Sequence, residues 1–384
     1  MAADGVVGGP RAILPPDFSP MPLNKYSVIL GNLGNTCDRF LSSGYKEPIS
    51  TREKIRLAAS IDGVQGIELV GGWDVTPENV GEVKALMADA GLACVSIIPD
   101  LFSRRVWGSG SFCARDPHVR ELAVAETQQA AAMAETMGCP LVTLWLGQDG
   151  YDYPIQSDFE LQRGWMVEGI RAVAQAWPKL KFALEYKPKE PRTHSFHARA
   201  ADTLLMVHEI GLPNVGVCID VGHAFVGQEN VAESAWLLHH YGKKLFHLHY
   251  NDNYTSWDDD MIVGSVHLVH YVELQYWLRR IGYAGWHSMD LYPYREDAGR
   301  AVAESIAFLR SLENTLTEPR LAEIGELLKQ GDATASTRWM RQLVFGTGTV
   351  GTPTAPPQRP ARGAGEPSAR PASVDSGPLA SNRP

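Results

Sequence analysis

The chain has 384 residues, of which 44% are hydrophobic and 9% aromatic, a composition typical of a globular protein. These proportions exclude a collagen-like chain, an acidic disordered protein and a disulfide-rich scaffold. The formal net charge is −9 and no Lys/Arg run occurs, whereas binding to nucleic acid or to an anionic membrane depends on clustered cations. We therefore expect neither a nucleic-acid nor a membrane partner.

Cysteine usage and the N-terminal sequence bear on cellular location. Five cysteines are scattered without a C-x-x-C pair, and an odd number does not suit a complete disulfide framework. No apolar run of about 18 residues occurs, and the Gly- and Pro-interrupted N-terminus lacks the apolar core of a signal peptide. We expect a cytoplasmic protein.

Both ends of the chain differ in composition from its middle. Residues 347–384 are rich in Pro, Gly, Ser and Ala and bury too little apolar area to offset the entropy of ordering, so a disordered tail is predicted. Residues 1–23 are predicted to be flexible for the same reason. Residues 24–315 then form one catalytic domain, and residues 316–346 a helical extension. Its apolar face packs either on its own domain or on a second copy in a homo-oligomer, a dimer or tetramer.

Between these ends, short β-rich runs alternate with longer stretches of helical apolar spacing. The strand candidates are Tyr26 to Gly31, Gly66 to Val70, Ala93 to Pro99, Leu141 to Leu146, Phe182 to Lys187, Gly216 to Val221, Leu245 to Tyr250 and Trp286 to Leu291. The helix candidates that follow them are Thr51 to Ile61, Pro77 to Ala90, His118 to Met137, Asp158 to Trp177, Ala201 to Ile210, Val231 to His240, Val269 to Ile281 and Asp297 to Leu312. Eight such units over about 290 residues predict an α/β fold, a (β/α)8 TIM barrel followed by the helical extension and the tail. A doubly wound open sheet is the alternative, but no G-x-G-x-x-G follows the first strand.

Polar residues at the C-terminal ends of the strands are the candidates for chemistry, since barrel enzymes react there. Alternation along the fifth strand candidate puts Lys187 on the same inward face as the glutamate two residues before it. Four successive strand ends each supply one candidate ligand, namely Glu185, Asp220, His249 and Asp290. A single Glu or His at a strand end is usually an ordinary buried polar residue, and recurrence at the same point of four units is what favours a site.

Three neighbouring carboxylates repel one another and need a cation among them to stay ionised. Oxygen ligands with one imidazole suit Mn²⁺, Mg²⁺ or Co²⁺ better than structural zinc. His223, on the loop after the sixth strand, can complete a second cation site with Asp258 and Asp260 from the loop after the seventh. The sequence therefore predicts two divalent-metal sites, with Mn²⁺ the preferred ion.

Short motifs follow the strands in a fixed order: Leu144-Trp145-Leu146-Gly147, Glu185-Tyr186-Lys187-Pro188, Asp220-Val221-Gly222-His223, His249-Tyr250-Asn251-Asp252 and Asp258-Asp259-Asp260. In combination they resemble the sugar isomerases of the xylose-isomerase-like barrel superfamily, and most closely the bacterial L-rhamnose isomerases. The resemblance implies a structural metal site at the four strand-end residues and a catalytic metal site at His223, Asp258 and Asp260. It also implies that Lys187 lies near the substrate oxygen, so that Lys187, Asp258 and His223 are the expected catalytic residues.

The resemblance implies aldose–ketose isomerisation of a small sugar, an intramolecular oxidoreduction between C1 and C2. No histidine precedes His118, so the first three strands supply no histidine base, which favours a hydride shift over an enediol route. A ketose 3-epimerase, or a related lyase or epimerase of the same superfamily, is the alternative. Endonuclease IV-like DNA cleavage on this fold is disfavoured by the acidic charge, and a non-catalytic binding barrel by the number of converging ligands.

The sequence leaves the identity of the sugar open. Five aromatic residues lie near strand ends and can stack on the C–H face of a neutral sugar, namely Trp73, Phe102, Trp107, Trp145 and Tyr153. Arg104 and Arg105 follow the third strand and can instead meet an anionic sugar.

Overall fold

The computed structural model describes residues 24–346, so the predictions for residues 1–23 and 347–384 lie outside the described residues. Within that range the strands are Lys25–Ile29 (β1), Val64–Gly71 (β2), Ala93–Pro99 (β3), Leu141–Trp145 (β4), Gly150–Tyr151 (β5), Lys181–Glu185 (β6), His194–Ser195 (β7), Val215–Asp220 (β8), Leu245–Tyr250 (β9) and Trp286–Met289 (β10). Eight of them close into a parallel barrel in the order β1-β2-β3-β4-β6-β8-β9-β10, with β10 pairing back onto β1. The predicted (β/α)8 barrel is confirmed.

α-Helices alternate with the barrel strands along the chain, and further helices follow the last strand. In the described residues they are Thr51–Ser60 (α1), Val80–Asp89 (α2), Pro117–Met137 (α3), Phe159–Ala176 (α4), Ala200–Ile210 (α5), Val221–Val226 (α6), Val231–His240 (α7), Leu268–Ile281 (α8), Ala298–Thr315 (α9), Glu318–Gln330 (α10) and Ala333–Phe345 (α11). None of these helices has both the length and the apolar character needed to cross a bilayer. The residues form two compact units, one that runs to Asp332 and one that begins at Ala333 and contains α11.

Local sequence signals explain where helices begin and end. Ser50 caps α1: its hydroxyl accepts a hydrogen bond from the backbone N–H of Glu53, whose carboxylate accepts one from the Ser50 N–H. Gly138 and Gly211 follow α3 and α5 with φ angles of 71° and 75°, a left-handed conformation that favours glycine. Glycine at each of these positions is a local sequence signal for the end of a helix.

The structure departs from the predicted boundaries in ways that bear on the site. Strand β6 ends at Glu185 and β10 at Met289, so that Lys187 and Asp290 stand on the loops just beyond their strands. The short helix α6, which was not predicted, begins directly after Asp220. The two-residue strands β5 and β7 pair antiparallel and join the loops that follow β4 and β6.

Candidate metal centre

The first ligand group gathers at the C-terminal ends of neighbouring barrel strands. Glu185 ends β6, Asp220 ends β8, His249 lies in β9 and Asp290 follows β10. One donor atom from each lies within 4.8 Å of the others. His249 Nδ1 is 3.3 Å from Glu185 Oε2 and 3.5 Å from Asp290 Oδ2. The structure thus brings together all four residues predicted for the first site.

Neighbouring amides orient two of these carboxylates. Asn32 donates to Asp290 Oδ1 at 2.8 Å, and Asn251 donates to Asp220 Oδ2 at 2.8 Å. The backbone N–H of His223, in the first turn of α6, donates to Asp220 Oδ1 at 2.8 Å. Asp220 is therefore the N-cap residue of α6, and this hydrogen bond fixes the direction of its carboxylate.

The spacing and chemistry of the first group fit a divalent cation. An ion with ligand bonds of about 2.1 Å holds adjacent donor atoms about 3 Å apart and opposite ones about 4.2 Å apart. The distances of 3.3 and 3.5 Å from His249 Nδ1 fall in this range. That nitrogen is buried and has no hydrogen-bond partner among the described residues. Three carboxylates and one imidazole form a donor set for hard divalent ions.

The pKa values of the carboxyl groups in the first ligand group also favour a bound cation. Burial raises the pKa of the Asp290 carboxyl to about 7, although His249 opposes the shift. Burial also raises the pKa of Asp220, again against the effect of a neighbouring histidine, His223. Cys218 lies beside Glu185 and His249, and burial raises the pKa of its thiol to about 12. A cation among these carboxylates would relieve the cost of keeping them ionised together.

A second ligand group adjoins the first and shares Asp220 with it. Donor atoms of Asp220, His223 and Asp258 lie within 4.8 Å of one another. His223 Nε2 is 3.0 Å from Asp258 Oδ2, and His223 Nδ1 is 2.9 Å from the Tyr186 carbonyl oxygen. Asp258 Oδ1 is buried without a hydrogen-bond partner among the described residues. This group also fits a divalent ion.

Asp260 is the one predicted ligand that joins neither group among the described residues. Its backbone has a φ angle of 48°, and its carbonyl oxygen accepts a hydrogen bond from the Tyr292 N–H at 3.0 Å. Asp260 and Asp258 line the same cavity. Burial, together with Asp258 and Asp290, holds the pKa of Asp260 well above its usual range.

Lys187 is a fixed cation beside the second group. Its Nζ is 2.7 Å from Asp258 Oδ2 and 3.3 Å from Glu190 Oε2, and it lies 5.6 Å from the centre of the Trp145 ring. Although burial acts to lower it, the pKa of Lys187 lies above its usual range because Asp258, Asp260 and Glu190 stabilise the charged form.

A cavity of 1360 Å³ opens above both groups. An aromatic wall lines the side formed by the ends of β2 to β4. The Trp73 and Phe102 ring centres are 5.5 Å apart, and those of Phe102 and Trp145 are 4.6 Å apart. Phe102 packs on an apolar cluster formed by Ile29, Val70 and Ile98. The cavity thus has a charged side and an apolar side.

The arginines considered for an anionic sugar do not line this cavity. Arg104 forms an ion pair with Glu126 at 2.9 Å, and Arg105 is exposed. Their side chains therefore point to other partners or to solvent.

Two residues that sequence reasoning missed contact the first ligand group. Asn32 follows β1 and holds Asp290, as described above. Glu68, in the middle of β2, is fully buried and lies 3.3 Å from His249 Nε2 through its Oε2. The sequence does carry a signal for Glu68, because it is the one charged residue in the otherwise apolar strand candidate from Gly66 to Val70. A buried charge needs a partner, so a functional or structural contact was to be expected there.

Comparisons with known proteins agree with this architecture. Residues 55–312 match a family model described as xylose isomerase-like TIM barrel. A xylose isomerase from Thermus thermophilus is 24% identical over 296 residues, which are 73% of this chain and 76% of that protein. A D-tagatose 3-epimerase-like protein has a similar fold, with a TM-score of 0.59, 20% identity and coverage of 76% of this chain and all of the other. An L-ribulose 3-epimerase has a TM-score of 0.60 with 17% identity, and the match covers 80% of this chain and 98% of that one.

Proposed function

Because the chain belongs to the xylose isomerase-like TIM barrel family, we propose that it is a divalent-metal-dependent aldose–ketose isomerase acting on a small sugar, similar to the L-rhamnose isomerases. The observation that carries this proposal is the pair of adjoining donor groups that share Asp220 beneath one cavity. Two neighbouring cations can hold two adjacent oxygens of one substrate, which is the arrangement that a hydroxycarbonyl unit requires.

The proposed ligands are assigned to the two groups as follows. Glu185, Asp220, His249 and Asp290 hold the first ion, and His223 and Asp258 hold the second together with Asp220. Asp260 stays a predicted ligand of the second ion. Mn²⁺ is the ion proposed for both positions, with Co²⁺ and Mg²⁺ as alternatives of similar ligand preference.

The reaction would use three side chains of the second group and its surroundings. When bound, divalent cations polarise the substrate oxygens and favour the negative charge that develops on them. Lys187 Nζ donates a hydrogen bond to the same region and stabilises that charge. Asp258 Oδ1, which has no partner of its own among the described residues, would accept the proton of the substrate hydroxyl at C2 and return it to the oxygen at C1 after the hydrogen has moved. His223 Nδ1 donates to the Tyr186 carbonyl oxygen at 2.9 Å, which leaves its Nε2 to hold the second ion.

The apolar side of the cavity supports direct hydrogen transfer between C2 and C1. Ile29, Val70 and Ile98 carry no proton-accepting group, and the Phe102 ring packs against them. The nearby carboxylates have other partners: Asp74 is paired with Lys54, and Asp100 accepts from Trp73 and Ser103. Among residues 24–346, this side of the cavity presents no unpartnered base to a migrating hydrogen, which supports the hydride shift.

A neutral sugar is the proposed substrate class, because the cavity lining carries twice as many acidic residues as lysines and arginines. The acidic residues are Asp38, Glu185, Glu190, Asp258, Asp259, Asp260, Asp290 and Glu296, and the basic ones are Arg39, Lys54, Lys187 and Arg295. Two divalent ions would bring this set to neutrality without an anionic substrate.

The deciding experiment uses a neutral sugar substrate deuterated at C2, with Mn²⁺ present, after a screen of aldose–ketose pairs. We expect the label to appear at C1 of the product. Washout of deuterium into water from the first turnover would replace the hydride shift with an enediol route. With the unlabelled ketose in D2O, incorporation of deuterium at C3 alone would favour a ketose 3-epimerase, the reaction in the names of two structurally similar proteins.

A further inference from the structure

Glu68 lies on β2, and its carboxylate reaches across the barrel interior to β9. The side chain is completely buried. Its Oε1 is 2.8 Å from His247 Nε2, and its Oε2 is 3.3 Å from His249 Nε2. Both carboxylate oxygens are therefore occupied by imidazole nitrogens, and one of these imidazoles belongs to the first ligand group.

The contact determines which nitrogen of His249 faces the candidate ion. A carboxylate only accepts hydrogen bonds, so the histidine nitrogens that face Glu68 must carry the protons. With the proton on Nε2, the Nδ1 lone pair of His249 is free, and this nitrogen is the one that faces Glu185 and Asp290.

We propose that Glu68 is a positioning residue that sets the tautomer and ring orientation of His249, while His247 anchors the second carboxylate oxygen. The inference rests on the metal site of the proposed function. The two imidazole rings are nearly perpendicular, at 85°, with centres 5.0 Å apart, so each presents its Nε2 edge to a different oxygen of Glu68. A carboxylate behind a metal-bound histidine fixes the ring and raises its basicity.

A third ion held by Glu68, His247 and His249 is the competing explanation, since donor atoms of these residues lie within 4.8 Å of one another. The 2.8 Å separation between Glu68 and His247 is that of a direct hydrogen bond. The geometry therefore favours hydrogen bonding, and the number of ions bound distinguishes the two arrangements.

The test is Co²⁺ titration of a Glu68→Gln variant, followed by visible absorption. An Asp258→Asn background confines binding to the first group. We expect Glu68→Gln to weaken binding about tenfold to hundredfold relative to that background. Asp149→Asn is the matched control: it makes the same carboxylate-to-amide change at a fully buried side chain whose partners are Ser111 and Cys113, and it should leave the affinity unchanged.

Each other outcome overturns a specific part of the argument. Equal affinities with and without Glu68→Gln would remove Glu68 from the site. Three Co²⁺ ions bound per wild-type chain would make Glu68 a ligand instead. No Co²⁺ binding by the wild-type protein would overturn the metal site itself, and this inference with it.

A measurement on the wild-type protein decides the question even if the variant does not fold. In ¹⁵N-histidine-labelled protein with Mg²⁺, the side-chain nitrogen shifts report each tautomer. We expect His249 to carry its proton on Nε2, with Nδ1 the nitrogen whose shift changes when Mg²⁺ is added. A proton on Nδ1 in the Mg²⁺-loaded protein would overturn the proposal. His247→Gln, which frees one Glu68 oxygen, should weaken Co²⁺ binding less than Glu68→Gln.

Discussion

Replacing Lys187 by methionine should destabilise the protein strongly only when divalent ions are absent. The Lys187 and Asp258 side chains are 11% and 3% exposed, and removing one partner of such a pair leaves a buried charge at a cost of about 3 to 5 kcal/mol. If an ion sits at the second group, it neutralises Asp258 in place of the ammonium. The loss of unfolding free energy should then be only about 1 kcal/mol, because methionine retains most of the apolar part of the lysine side chain.

These energies correspond to measurable shifts in Tm. For a unit of about 300 residues, an unfolding entropy of about 2.1 cal/mol/K per residue makes 1 kcal/mol equal to about 1.6 °C. Calorimetry should therefore show a loss of about 5 °C or more for Lys187→Met in EDTA and less than about 2 °C with saturating Mn²⁺. Turnover with saturating Mn²⁺ should be lost, because the hydrogen bond to the substrate oxygen is gone.

Lys54→Met is the matched control for this experiment. Lys54 forms an ion pair with Asp74 at the same end of the barrel, with side chains 13% and 0% exposed, and neither residue belongs to a ligand group. Its stability loss should be the same with EDTA and with Mn²⁺. If Lys187→Met behaved like Lys54→Met, Asp258 would not be an ion ligand, and the assignment of the second group would be wrong.

Three further predictions concern the ions, the support of Asp290 and the dependence of stability on pH. Exhaustive chelation should abolish isomerisation and Mn²⁺ should restore it, because the clustered carboxylates require a cation; full activity in protein shown to be metal-free by elemental analysis would contradict this. Asn32→Ala removes a hydrogen bond to the charged Asp290 and should weaken Mn²⁺ binding at the first group about tenfold by calorimetric titration, and unchanged binding would deny Asn32 that role. Burial, aided by His247, lowers the pKa of His287 to about 3, so the unfolded chain takes up this proton first and stability falls as pH drops below about 6.5. Between pH 7 and pH 5, His287→Gln should lose about 2 kcal/mol less stability than the wild type in urea unfolding, and parallel losses would show that His287 does not titrate in this way.

Much of the fold was predictable because the signals are local. Alternating β and helical periodicity identified all eight barrel strands, and Gly138 and Gly211 marked helix ends through their own backbone preference. The candidate ligands Glu185, Asp220 and His249 were also predictable. Each sits at the end of its strand, and parallel strands of a closed barrel bring such ends together regardless of which helices connect them.

Other features depend on closure of the barrel and on side-chain direction, which no local pattern encodes. Glu68 and His247 are 179 residues apart in sequence and Asn32 and Asp290 are 258 apart, so their contacts exist only after β10 pairs with β1. The sequence predicted Asp260 as a ligand together with Asp258, but Asp260 has a left-handed backbone conformation and joins neither ligand group among the described residues. The sequence by itself determined the barrel and which residues reach its mouth, because periodicity and strand ends are local properties. The tertiary structure decided which atoms of those residues face one another, because that depends on packing across the closed barrel.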